Sequence, residues 1–364
     1  MGIKGHATDE GTRRYAGRFE ELVGRGHFRR NRGLTTSSIG IGTYLGGAND
    51  ATDSLVSDAV DAVVKGGMNV IDSAANYRRE RGEKSVGIAL NRMFSNGTAK
   101  RDEVLICTKG GFIPHGGDWF ETNHVGRGRV TTDDLVGGVH CMHPDYLEAQ
   151  LNQSLANLGV DTIDVYYVHN PESQAGKVPA AVFKDRLEAA FRILEGAVRA
   201  GKIRAYGVAT WNAFRVEGNV SGAMSLAATK NAAQRVSGDI ADAMHYVQLP
   251  LNLAMTEALI KPVQDLGGQG MPAIRTATSL GLKVMASGAI RQAKLGDLPA
   301  HVRTAIGDHM TSDAQRALQF TRSAPGIATA LIGLKQPSHV EEALNLCREA
   351  PMKPGDVLSM FGRR

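Results

Sequence analysis

The nine residues Asn69-Val-Ile-Asp-Ser-Ala-Ala-Asn-Tyr77 follow Gly66-Gly67 and lead into a charged segment. Two apolar residues, Val70 and Ile71, bounded in this way read as a short buried strand ending at Asp72. A carboxylate at the end of a buried strand needs a partner. The phenol five residues on, Tyr77, becomes a ready proton donor only if something lowers its pKa.

Outward from this stretch, short apolar runs alternate with helical spacing. A strand is predicted over 37–44, then a helix over 50–65 with Leu55, Val56, Val60, Val63 and Val64 on one face. After Tyr77 come a helix over 83–93, a strand over 103–109 and a long insertion to His143. His143-Pro144-Asp145 opens the next helix, with Pro144 where its missing N–H costs nothing and Gly159 as the stop. Further strands are predicted over 164–169, 203–211, 245–253, 282–286 and 327–334. The helices between and after them cover 183–200, the Ala-rich 213–243, 272–280, 312–322 and 338–346.

Eight strands, each followed by a helix, imply parallel pairing and closure into an α/β fold, the (β/α)8 TIM barrel. No composition shift or Pro/Gly/Ser linker divides the chain, so residues 33–364 are expected to form a single domain with long loops at the C-terminal face. Residues 1–27 show no sustained periodicity, and 1–32 read as an N-terminal arm over the surface.

The 364 residues, 42% hydrophobic, are enough for a large core, and the net charge of +5 is modest. The one basic cluster, Arg25 to Arg32 around Phe28, reads as part of a solvated arm and not as a nucleic-acid surface. The three cysteines, Cys107, Cys141 and Cys347, have no metal or disulfide spacing, which suits a reducing compartment. No apolar run approaches a membrane span and the first residues are polar, so a soluble cytoplasmic protein is expected, with no nucleic-acid or membrane partner.

In a barrel of this kind chemistry gathers where strands end. Those positions hold Tyr44, Asp72, Lys109, His169, Thr210-Trp211, Gln248, Ser287, and Gly333 with Lys335. Three successive strands end in ionisable side chains. Lys109 beside Tyr77 would depress the phenol pKa, Asp72 would keep the ammonium charged, and His169 would orient a carbonyl. No side chain carries a hydride, so a reduction at this site needs a nicotinamide.

From about Phe28 to Glu349 the chain resembles the aldo-keto reductases. The carriers are Gly-Ile-Gly-Thr-Tyr (40–44), Ile-Asp-Ser-Ala-Ala-Asn-Tyr (71–77), Gly-Glu-Lys-Ser-Val-Gly-Ile-Ala-Leu (82–90), Ile-Cys-Thr-Lys (106–109) and Asp-Val-Tyr-Tyr-Val-His (164–169). Two more are Tyr-Gly-Val-Ala-Thr (206–210) and Leu-Ile-Gly-Leu-Lys-Gln-Pro-Ser-His-Val-Glu-Glu (331–342). The resemblance implies a catalytic tetrad of Asp72, Tyr77, Lys109 and His169, with Tyr77 as general acid. It also implies NADP(H), with Lys335 at a position that binds the 2′-phosphate. Gln336 and His339 stand at further contacts and Glu342 at an adenine contact, Gly333 opens that loop, and Gly42, Thr43, Thr210 and Gln248 lie toward the nicotinamide. Ser287 and Arg291 are candidates for the pyrophosphate, since N–H groups at helix starts attract anions.

Several positions depart from the family pattern. Ala209-Thr210 stands in place of Ser-Asn, and Leu251 replaces a ring-stacking aromatic. Ser287-Gly288-Ala289 replaces Ser-Pro-Leu, and Ala343 replaces an adenine-contacting Asn. The implied activity is an NADP-dependent interconversion of a carbonyl (aldehyde or ketone, including a sugar-like one) and an alcohol. Two alternatives remain open: a nicotinamide-binding regulatory or sensor subunit, and an oxidative enzyme acting on a sugar or glycoside hydroxyl.

Tyr44, Trp119 and Trp211 are candidates for the substrate pocket. Trp119 with Phe120 could equally pack the long insertion against the barrel. His115, His124, His140, His143 and Asp118 in that insertion fit no standard metal spacing, so no metal site is expected. Cys107, two residues before Lys109 in an apolar run, reads as a core residue.

Overall fold

The structure is a computed structural model that describes residues 2–291 and 296–362. Its barrel strands are β3 (Ile39–Gly42), β4 (Val70–Asp72), β5 (Leu105–Gly110), β6 (Ile163–His169), β7 (Ile203–Ala209), β8 (Met244–Pro250), β11 (Lys283–Ser287) and β12 (Ile327–Gly333). They pair in parallel and close in the order β11-β12-β3-β4-β5-β6-β7-β8. This is the predicted (β/α)8 barrel. Two antiparallel hairpins stand apart from it: β1 (Phe28–Asn31) with β2 (Leu34–Ser37), and β9 (Gln264–Leu266) with β10 (Gln269–Met271).

Side chains alternate along a strand, so one set fills the barrel and the other faces the helices. Val70, Leu105, Cys107, Val165, Tyr167, Ala205, Tyr246, Met285 and Leu331 form the inner cluster. Ile41, Ile71, Ile106, Val168, Val247 and Ile332 belong to the outer layer, packed with helix residues such as Val56, Val60, Leu90 and Leu151. The alternation decides the site. Asp72, Lys109, His169 and Gln248 each lie two residues beyond an inner core residue (Val70, Cys107, Tyr167 and Tyr246), so all four point inward at the C-terminal rim. A β-carbon at Gly40 on β3 would lie 3.0 Å from Val70 Cβ and 3.1 Å from Leu331 Cδ2, so any side chain there would press these inner residues apart.

Two expectations are corrected. The N-terminal segment carries a helix, Asp9–Gly17, capped by the Thr8 hydroxyl accepting from Gly11 N at 3.0 Å. It is pinned by buried Tyr15, whose hydroxyl donates to Val64 O at 2.6 Å, and by Arg14 paired with Asp102 and Glu103. One apolar anchor in a polar nine-residue run leaves no periodic signal. The stretch 213–243 is helical only over Leu226–Ser237, with Ser225 as its cap. Gly218 and Gly222, the latter at φ 83°, belong to the turns that precede it.

Among the described residues no helix is long and apolar enough to cross a membrane. Residues 292–295 and 363–364 lie outside the described residues.

Candidate active site

Asp72 is 4% exposed and Lys109 1%, so each needs its partner. Lys109 Nζ donates to Asp72 Oδ2 at 2.5 Å and to Ser73 O at 2.7 Å. The second carboxylate oxygen accepts from Gln248 Nε2 at 2.9 Å. The ammonium lies 4.8 Å from the centre of the Tyr77 ring. Tyr77 in turn stands edge-on to His169, with ring centres 5.8 Å apart, and to Tyr44 at 5.0 Å. The expected four residues converge, with Gln248 as a fifth member.

The charges follow from burial and neighbours. Burial works to lower the Lys109 pKa, but Asp72 and Tyr77 together outweigh it and hold it above the ordinary value. Burial raises Asp72, against the pull of Lys109 and Gln248. Burial, then the Lys109 charge, push His169 well below the usual imidazole range, so it is neutral. Tyr77 corrects the sequence reading. Burial raises its phenol above 10.0, and Lys109 offsets only part of that rise. Tyr77 therefore holds its proton at neutral pH, with a cation beside it to stabilise the anion when the proton leaves.

The chain after Tyr77 turns through three successive non-glycine residues in the left-handed region, Arg78, Arg79 and Glu80, at φ 50°, 56° and 68°. Such backbone costs roughly 1–2 kcal/mol per residue unless neighbours impose it. Here Arg78 is clamped to Asp53 at 2.5 Å and to the Ser85 hydroxyl at 3.0 Å.

A cavity of about 340 Å³ opens over these groups. Gly42, Thr43, Tyr44, Asp72, Tyr77, His169, Thr210, Trp211, Gln248, Ser287 and Gly333 line it, with Lys109 buried behind. Ile290, Ile332 and Gly333 are shared with a smaller pocket of about 80 Å³ that reaches His339 and Glu342. The Glu342 carboxylate there accepts from the Ser312 hydroxyl. Lys335 lines a separate groove beside the helix Pro337–Cys347, and Gln336 is the exposed cap residue of that helix.

Three other positions lie elsewhere. Trp119 does not reach the main cavity: it packs against His115 and His124 and lines another hollow of about 200 Å³ with Glu80 and Arg129. Leu251 is fully buried in the outer core, while Trp211 is the aromatic that borders the cavity beside Gly288. Arg291 is exposed and lines neither pocket.

Sequence reasoning missed Asn76, Phe112 and Asn170 in the cavity wall. Asn76 sits inside the quoted stretch and its buried Oδ1 has no hydrogen-bond partner among the described residues. Asn170 directly follows the strand-end histidine, in a left-handed conformation at φ 45°. A strand-end position was the available signal for it.

The C-terminal rim of a parallel barrel is where chemistry gathers in this architecture, and here it holds a buried ammonium–carboxylate pair, a phenol and an imidazole. Residues 38–236 match the aldo/keto reductase family, and the chain belongs to that family. It is 28% identical over 202 residues to aldo-keto reductase family 4 member C11 of Arabidopsis thaliana, covering 54% of this chain and 53% of the relative. It is 28% identical over 182 residues to 6-dehydroglucose reductase of Novosphingobium aromaticivorans, covering 49% of each. The chain thus matches about half the length of these curated relatives. Among solved structures it resembles an aldo/keto reductase from Klebsiella pneumoniae in complex with NADP and acetate (TM-score 0.59, 19% identity, 91% and 92% of the two chains). It also resembles the glycerol dehydrogenase of Gluconobacter oxydans (TM-score 0.61, 19% identity, 93% and 97%). At these identities the structural likeness speaks for the fold.

Proposed function

We propose that this protein is a cytoplasmic NADP(H)-dependent oxidoreductase that interconverts a carbonyl and an alcohol, with Tyr77 as general acid and base. The observation that carries this reading is the convergence of Lys109 on both Asp72 and the Tyr77 ring, at 2.5 Å and 4.8 Å.

The residues suit a dinucleotide. The main cavity continues through Gly333 into the pocket at His339 and Glu342, which ends beside the helix Pro337–Cys347. Among the described residues the cap residue Gln336 makes no side-chain bond to the N–H groups that open this helix, which suits a phosphate. Thr210 and Gln248 would hold the nicotinamide end, Trp211 would wall it, Ser287 would meet the pyrophosphate, and Lys335 would take the 2′-phosphate. When bound, the cofactor supplies or accepts the hydride.

The chain's own residues handle the proton. In reduction Tyr77 gives its phenolic proton to the carbonyl oxygen as charge develops there, and the Lys109 ammonium stabilises the phenolate left behind. Neutral His169 borders the same oxygen site and orients it without competing for the proton. Burial keeps Tyr77 protonated at neutral pH, which is the form that reduction uses. Asn76 and Asn170 offer hydrogen bonds beside the flat walls of Tyr44, Phe112 and Trp211. This supports a carbonyl substrate carrying neighbouring hydroxyls, as does the likeness to a 6-dehydroglucose reductase.

The test is steady-state turnover of purified protein with NADPH and a panel of aldehydes, ketones and aldoses. Saturable NADPH oxidation with at least one member is the expected result. Turnover of alcohols alone, or no turnover despite NADPH binding, would overturn the reductive reading.

A further inference from the structure

His140 belongs to the long insertion after β5 and has no place in the proton chemistry just described, yet it is fully buried beside the site. Its Nε2 lies 2.7 Å from the backbone oxygen of His169, and its Nδ1 lies 3.1 Å from Gln174 Nε2. Gln174 Oε1 accepts from Arg186 Nη1 at 3.0 Å, so the Gln174 amide nitrogen faces the imidazole and donates. His140 Nδ1 must then accept, which puts the ring proton on Nε2, where it donates to the His169 carbonyl. All three bonds run in one direction, from Arg186 through Gln174 and His140 to His169. Burial holds the His140 pKa at about 4, so the neutral ring this relay requires is the form present at neutral pH.

The backbone around the contact is shaped to admit it. Gly111 has φ 132°, and a β-carbon there would lie 2.8 Å from His140 Nε2 and 3.2 Å from His169 O. Phe112 meets both rings edge-on, at 4.9 Å from His140 and 5.1 Å from His169. On the far side of the bond the chain leaves His169 through left-handed Asn170, whose N–H donates to Ala209 O at 2.6 Å.

We infer that His140 is a positioning residue for the active site: through its Nε2–H bond to the His169 carbonyl it fixes the end of β6, and with it the aim of the His169 ring and the Asn170 side chain into the cavity. The insertion after β5 is therefore a working part of the site as well as a covering for it. This rests on the reading of His169 and Tyr77 as the proton machinery.

The experiment compares wild type, His140→Leu, His140→Gln and Tyr77→Phe in NADPH-dependent carbonyl reduction, with NADPH affinity read from fluorescence titration. His140→Leu removes the donor; His140→Gln returns an amide N–H close to the Nε2 position. The expected result is a loss in kcat of about tenfold or more for His140→Leu, with NADPH affinity within about threefold of wild type and most of the kcat recovered in His140→Gln. Unchanged kcat in His140→Leu overturns the inference, and so does equal damage to kcat and NADPH affinity that His140→Gln fails to recover. Tyr77→Phe separates the two levels. If it abolishes turnover while His140→Leu does not, only the positioning role falls; if it leaves turnover intact, the acid–base reading falls first.

Discussion

Gln248 donates to Asp72 Oδ1 at 2.9 Å, on the carboxylate oxygen opposite the one that Lys109 holds. A residue expected to hold the nicotinamide thus bonds the same carboxylate as Lys109, and under the proposed function the cofactor end and the proton machinery would share one hydrogen-bond system. Gln248→Leu takes one of two side-chain partners from a buried carboxylate. A loss of roughly 1.5–3 kcal/mol in stability by urea unfolding is expected, together with reduced kcat. Unchanged stability would mean that the amide serves the cofactor alone.

The pH profile separates the two directions of reaction. Tyr77 sits above its ordinary value because of burial, with Lys109 pulling it down. Reduction needs the protonated phenol, so kcat/KM for reduction should stay flat through neutral pH and fall only in strong alkali. Oxidation needs the phenolate and should rise about tenfold per pH unit below the Tyr77 pKa. Lys109→Met should move the alkaline limb higher still. It should also destabilise the protein by roughly 3–5 kcal/mol, since Asp72 then loses its buried counter-ion.

Acid stability follows from buried histidines. Burial holds both His27 and His140 at about 4, against an ordinary 6.5. Between those values the unfolded chain binds more protons than the folded one, so stability falls as pH drops from 6.5 toward 4. Above 6.5 neither residue adds pH dependence. Each contributes up to roughly 1.4 kcal/mol per pH unit within that window. Urea midpoints across pH 4 to 7 check this, and His140→Gln should flatten the slope.

Lys335 is the expected arbiter between cofactors. It lines the groove beside the helix Pro337–Cys347, whose cap residue Gln336 makes no side-chain bond to the first N–H groups among the described residues. Lys335→Ala should weaken NADPH by roughly 1.5–3 kcal/mol, about tenfold to a hundredfold, and leave NADH affinity nearly unchanged. Equal effects on the two cofactors would remove the phosphate role.

The barrel was legible because its strands are short and its inner and outer residues alternate. From Val70 the period of two leads directly to Asp72, and from Cys107 to Lys109. Asp72, Lys109, His169 and Gln248 were legible as strand ends and Tyr77 as the phenol in the loop after the first of them, but their charge states were not. The phenol pKa depends on how deeply Tyr77 is buried among Tyr44, His169 and Lys109, and sequence spacing does not encode that. Trp119 looked like a pocket wall because it is aromatic and lies in a loop beside the site. It instead finds partners within the insertion's own cluster around Phe120 and Tyr146. The N-terminal helix was invisible for the opposite reason, since its docking rests on Tyr15 and a few ion pairs. His140 could be read only as one histidine among several in a loop. Its contact with His169 spans 29 positions and becomes apparent only once Gly111 lets the two segments approach.

Tyr77→Phe tests the central claim most directly, because it removes one oxygen from a ring that keeps its packing against Tyr44 and His169. Single-turnover reduction of an accepted aldehyde at saturating NADPH, with NADPH affinity measured alongside, is the measurement. A rate loss of about a hundredfold or more with NADPH affinity within about threefold of wild type is predicted, in keeping with the contribution of a general acid. Hydride transfer at the wild-type rate in Tyr77→Phe would contradict the account.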